Sequence, residues 1–173
     1  MNVGEEKGKI VTDLILEHKP QTLVELGYCG YSTILFSAAV RNAGGKQYLS
    51  LERNLKFAKV IEILVEFAGL DDIVKVIVRP SNEGIKKLHH ERLRTIDVMF
   101  LDHYKPAYTT DLKLCEHLRL IKKGTVLAAD NVINPGNPPY LEYVRSPVGE
   151  DHVQAYIVRQ ILEFSLRCHL ALY

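Results

Sequence analysis

Leu23-Val24-Glu25-Leu26-Gly27-Tyr28-Cys29-Gly30-Tyr31-Ser32 reads as a buried strand, a glycine turn and the opening of a helix. Apolar residues flank one acid, two glycines let the backbone come close to a neighbour, and Ser32 is placed to cap the helix that follows. In a chain that alternates strands and helices, this first glycine turn is the usual seat of a nucleotide-like ligand. The spacing is not G-x-G-x-x-G, which argues against a nicotinamide-dependent dehydrogenase, and the absence of a lysine after the glycines excludes a phosphate-cradling P-loop. An acid two residues before a glycine is a poor neighbour for phosphate and a good one for a cation. S-adenosylmethionine (SAM) carries a sulfonium and an ammonium group and suits that environment better than NAD. The competing reading is that Gly27 and Gly30 only close a tight strand-to-helix turn.

Outward from this stretch the pattern repeats. Upstream, Ile10, Val11, Leu14 and Ile15 make a helical stripe within 5–18, which Pro20 stops. Downstream, helices are expected over Ser32–Ala43, Asn54–Ala68, Asn82–Leu93 and Thr109–Leu120. Strands are expected over Thr22–Leu26, Lys46–Leu51, Val74–Val78, Ile96–Leu101 and Gly124–Ala129. Gly44-Gly45 breaks one helix and Gly69 caps another. The stripe Ile61, Leu64, Val65, Ala68 reads as core. Five strand–helix alternations imply a doubly wound, mostly parallel α/β sheet. Beyond Asn134, prolines loosen the pattern; Tyr140–Val144 is a short helix, Val153–Leu166 a helix or broken strand pair, and His169–Tyr173 a last strand.

The bulk numbers fit one domain over 1–173. A net charge of +1 gives no electrostatic case for nucleic acid or an anionic membrane. Three cysteines are an odd number without close pairing, which leads to the expectation of a reduced, cytoplasmic chain. The charged N-terminal stretch does not read as a signal peptide, and no apolar run approaches the ~18 residues of a membrane span.

In an open parallel sheet, ligands bind beyond the carboxyl ends of the strands. Glu25, Glu52, Asp102, Asp130 and Asn131 all fall there. Glu52, 25 positions after Gly27, is placed to accept from ribose hydroxyls. Asp102, Asp130 and Asn131 offer hard oxygen ligands from two strand ends, which suits Mg²⁺; the plain alternative is ordinary turn chemistry. Lys105, three residues after Asp102, is a candidate general base, because a bound divalent cation beside it favours the neutral amine. Cys115-Glu116-His117 diverges on a helix and makes no zinc site, and His89-His90 reads as a solvated helix face.

These residues sit in longer strings: Met1-Asn2-Val3-Gly4 with Lys7-Gly8, ELG and YCGYS across 25–32, Phe67-Ala68-Gly69-Leu70, Met99-Phe100-Leu101-Asp102-His103-Tyr104-Lys105, Lys123–Ile133 and Pro135-Gly136. From residue 1 to about 145 the chain resembles the catechol O-methyltransferase family. The resemblance implies a seven-stranded SAM-dependent methyltransferase fold, with the last strand pair in the divergent tail 146–173. It implies that Met1 to Val3, Gly27, Tyr28, Ser32 and Glu52 line the SAM site, with Ser81, Asn82, His103 and Tyr104 near the adenine and Asp102 also beside the cofactor. It further implies that Asp102, Asp130 and Asn131 hold Mg²⁺, that Lys105 takes the proton of a catechol, and that Asn131, Pro135 and Glu163 face the substrate.

Four departures from the family stand out. The family reads ELG-x-YCGYS, and here Tyr28 follows Gly27 directly. Arg79 stands where the family has glycine, and Glu163 is only the best match for a substrate-binding glutamate. The likeness starts at residue 1, so the family's preceding helices are expected to be missing. These departures sustain an alternative: a methyltransferase-like domain that keeps the fold without turnover.

Overall fold

The computed structural model describes residues 3–27 and 30–146. Five parallel strands, β1 (Thr22–Leu26), β2 (Gln47–Glu52), β3 (Val74–Val78), β4 (Val98–Leu101) and β5 (Val126–Ala129), form one sheet in the order β3-β2-β1-β4-β5. This is the doubly wound arrangement expected, with five strands among the described residues; the expectation of a further strand pair falls on the tail, outside the described residues. The helices are α1 (Gly4–His18), α2 (Gly30–Asn42), α3 (Leu55–Phe67), α4 (Ser81–His90), α5 (Tyr108–His117) and α6 (Pro138–Val144). Their order places the topological switch between β1 and β4, where a crevice opens at the strands' carboxyl ends.

Side-chain alternation along the strands divides the core in two. Leu23, Val98, Phe100, Val126 and Ala128 point to one face and pack with residues of α1, α2 and α3. Val24, Leu26, Met99, Leu101, Leu127 and Ala129 point to the other, against α4, α5 and α6. Both faces are covered, which is why β1, β4 and β5 are nearly continuous in apolar residues. β3 forms an edge, and only Ile77 of its residues is fully buried.

α1 ends at His18 as expected, two residues before Pro20, with Lys19 left-handed at φ 48°. Two other readings differ from the sequence expectation. Ser32 does not cap α2; the helix begins at Gly30 and Ser32 lies inside it. Asn54 does cap α3, its side chain accepting from the Lys56 backbone N–H at 2.9 Å. The stripe assigned to the core of α3 is half right. Ala58, Ile61 and Val65 are buried, while Leu64 and Ala68 are exposed along with Val60, Ile63 and Phe67. The apolar positions of α3 run most of the way around the helix, so periodicity alone could not choose the buried side.

Candidate active site

Strand ends deliver the site. A pocket of about 570 Å³ lies at the switch point, walled by Gly27 after β1, Glu52 and Arg53 after β2, Pro80 and Ser81 at the start of α4, and Asp102 to Lys105 after β4, with Asn131 after β5. Tyr104, two-thirds exposed, and Phe57 add aromatic surface.

Glu25 and Glu52 occupy this region in different ways. Glu25 is fully buried on the face covered by α2. Its carboxylate accepts from Ser32 Oγ at 2.5 Å, Thr33 Oγ1 at 2.6 Å and Ser50 Oγ at 3.1 Å. Burial pushes its pKa up, against the pull of those hydroxyls. Its side chain folds back under the turn: a Cβ on Gly27 would lie 2.7 Å from Glu25 Cγ, so glycine is required there by the protein's own acid. The expectation that Glu25 meets a cationic ligand is therefore corrected; it is the floor of the pocket and not its lining. Ser32, buried, is part of the same floor.

Glu52 is buried too, but Oε1 accepts the Asn54 backbone N–H at 2.6 Å, and Oε2 has no hydrogen-bond partner among the described residues. Burial again raises its pKa, partly offset by the Asn54 and Arg53 backbone and the Arg53 charge. A buried acceptor without a donor is costly, at about 1–3 kcal/mol, unless a ligand completes it. Oε2 at the pocket wall therefore fits a hydroxyl-bearing ligand such as a ribose.

On the other side, Asp102 and Asp130 end adjacent strands, and the Asp130 backbone N–H bonds Leu101 O at 2.9 Å. Burial and then the Asp130 charge raise Asp102 to about 7, with Lys105 and Lys7 opposing. Lys105, on a single helical turn after β4, donates to Asn131 Oδ1 at 3.2 Å. Lys7 donates to Asp130 Oδ1 at 2.5 Å. Two ammonium groups thus lie on the oxygens of this set, the behaviour of a donor cluster that attracts cations. Tyr108 fixes the frame: its hydroxyl donates to Leu101 O at 2.9 Å and lies 3.3 Å from Asp130 O, and its ring stacks on His103 at 4.8 Å. His103 lines the pocket and pairs through Nε2 with Asp111 Oδ2 at 2.8 Å.

Of the expected site residues, Gly27, Glu52, Ser81, Asp102, His103, Lys105 and Asn131 line one pocket, and Asp130 lies buried beside it. Val3 is buried in the α1–α2 core, Asn82 is exposed outside the lining, and Pro135 is exposed beyond β5. Tyr28 and Glu163 lie outside the described residues. Arg79 also lines the pocket; its guanidinium reaches Glu83 of α4 at 3.5 Å, and its backbone N–H bonds Glu52 O at 3.0 Å. Sequence reasoning missed Phe57, Arg53 and the grip of Lys7. The first two follow from the Asn54 cap, which starts α3 at the pocket rim; Lys7 had no local signal.

A family described as a methyltransferase domain matches residues 24–132. The chain is 41% identical over 167 residues to catechol O-methyltransferase of Bos taurus, covering 95% of this chain and 60% of the relative. It is 42% identical over 147 residues to the Sus scrofa enzyme, covering 84% of this chain and 78% of that one. The structure resembles an O-methyltransferase from Bacillus cereus solved with SAH, at TM-score 0.74 and 24% identity, over 84% of this chain and 72% of the other. The chain spans about 60% of the length of the bovine relative. By sequence match, it belongs to the catechol O-methyltransferase family.

Proposed function

We propose that the chain is a SAM-dependent O-methyltransferase domain acting on one hydroxyl of a catechol with a divalent cation, Mg²⁺, as helper. The observation that carries this reading is the pairing of two unlike halves in one pocket: the unfilled acceptor of Glu52 and the oxygen cluster of Asp102, Asp130 and Asn131 with Lys105. In this reading Glu52 accepts from the SAM ribose, and Ser81, His103 and Tyr104 border the adenine. Asp102, Asp130 and Asn131 would hold the cation, whose charge, when bound, would make a phenol beside it more acidic. Lys105 Nζ, once it has given a proton to solvent and stands as the neutral amine beside the cation, would accept the phenol proton and become the ammonium. SAM, when bound, would supply the methyl group: its sulfur–methyl bond would break as the phenolate oxygen takes the methyl carbon, leaving S-adenosylhomocysteine. The pocket's contribution to that step is to hold oxygen and methyl in line. Pro135, and Glu163 in the tail, are assigned to the substrate side on resemblance alone.

The second reading, a domain without turnover, is favoured by one feature: the residue lacking between Gly27 and Tyr28. Calorimetric titration of SAM with Mg²⁺ present, beside a variant with one glycine inserted there, separates the two. Binding by the natural chain, with methylation of a catechol that Lys105→Ala loses while keeping SAM affinity, supports the enzyme. Binding by the insertion variant alone makes the natural chain a pseudoenzyme disabled at one loop. Binding by neither removes the SAM reading.

A further inference from the structure

Lys7 lies on the opening turns of α1, 123 residues from Asp130 in the chain, yet its Nζ sits on Asp130 Oδ1. The neighbour that permits this is Gly8. A Cβ at Gly8 would lie 2.7 Å from Leu35 Cδ2, so α1 rests closely on α2 there and a side chain at this position would push the Leu35 methyl aside. That close approach brings the start of α1 within reach of the end of β5. Asp130 Oδ1 also accepts the Asn131 backbone N–H at 2.7 Å. Two donors of the protein thus hold one oxygen, and Oδ2 has no hydrogen bond among the described residues. The Asp130 side chain is 4% exposed, so an unpaired charge there would be costly.

We propose that Lys7 is an internal countercation: it holds Asp130 when no divalent cation is bound, and it lowers the affinity for that cation by competing for the same carboxylate. The proposal rests on the reading of Asp102, Asp130 and Asn131 as the cation's holders. Lys7 is not placed as a second base, because it does not line the pocket and its ammonium is committed to Oδ1. A divalent cation drawn to Oδ2 meets the positive charge of Lys7 across one carboxylate, and in a buried site that repulsion is weakly screened. Removal of the charge therefore favours the cation-bound protein and penalises the empty one.

The test uses Mn²⁺ alone, with binding followed by the electron paramagnetic resonance signal of the free ion and unfolding followed thermally. The natural chain, Lys7→Met, Lys7→Arg and Asp102→Asn are compared without SAM or catechol. Lys7→Met is expected to bind Mn²⁺ on the order of tenfold more tightly, to melt lower than the natural chain when metal-free, and to gain more from Mn²⁺. Lys7→Arg, which restores the charge, is expected to return to about twofold of the natural affinity. Unchanged or weaker Mn²⁺ binding by Lys7→Met overturns the countercation role while leaving the metal reading intact, provided Asp102→Asn loses binding. If no chain binds Mn²⁺, or Asp102→Asn binds as the natural chain does, the metal reading falls and takes this proposal with it. Should Lys7→Met fail to fold, Lys7→Gln, which keeps a donor without charge, carries the same expectations.

Discussion

Glu25 and Glu52 lie near the carboxyl ends of neighbouring strands, both are buried, and burial raises the pKa of both. Only the donors around them differ. Three hydroxyls, two from α2 and one from β2, fill the oxygens of Glu25. Glu52 receives one backbone N–H and keeps one oxygen unfilled at the pocket wall. Saturation, and not burial or charge, separates the acid that builds the floor from the acid that is available to a ligand. Gly27 carries the same lesson: its missing side chain makes room for Glu25 before it makes room for anything bound.

The sharpest way to break this comparison is to truncate each acid. Glu25→Ala leaves a cavity and withdraws the acceptor shared by three buried hydroxyl bonds, so a loss of about 3 kcal/mol in urea unfolding is expected. Glu52→Ala removes an acid with one local bond, so stability is expected to change by less than about 1 kcal/mol. SAM affinity, in contrast, is expected to fall about tenfold or more in Glu52→Ala, which is the worth of one buried charge-assisted hydrogen bond. Calorimetry on both variants decides. If Glu25→Ala unfolds normally and loses SAM binding while Glu52→Ala keeps it, the two roles are exchanged.

What the sequence disclosed follows the same division. Strands β1 to β5 were legible because each is a short run, continuous or alternating in apolar residues, bounded by turns, and the acids were legible because they lie at or near the ends of those runs. Asn54 was legible as a helix start because capping is a local interaction. The partners of Glu25 were not. Ser50 lies 25 residues away and meets Glu25 only because β1 and β2 pair in the register Glu25↔Ser50. Lys7 on Asp130 is harder still, since it depends on how two helices pack. The buried side of α3 was ambiguous because Phe67, 91% exposed, is as apolar as the residues it shares the helix with. Sequence reading therefore found which acids reach the rim, and the structure was needed to find which of them is already satisfied.

A smaller effect sharpens the comparison without removing either side chain's bulk. Glu25 holds its proton more tightly folded than unfolded, because burial penalises its charge more than Ser32, Thr33, Tyr48 and Ser50 relieve it. Between the ordinary carboxylate range and the raised folded value, the folded chain binds a proton that the unfolded chain has released. The contribution of Glu25 to stability is therefore fully present below the unfolded pKa and is lost as pH rises through the folded one, with a slope of at most about 1.4 kcal/mol per pH unit. Glu25→Gln keeps the shape and an acceptor but cannot titrate. Urea unfolding of the natural chain and Glu25→Gln across mildly acidic to neutral pH is expected to show the natural chain's relative stability declining as pH rises, then running level. A difference that stays flat across that range would mean that these hydroxyls fully offset the cost of burying the charge. In that case the floor of the pocket would be an ionised carboxylate beneath the binding site, and its field would reach whatever cation the pocket holds.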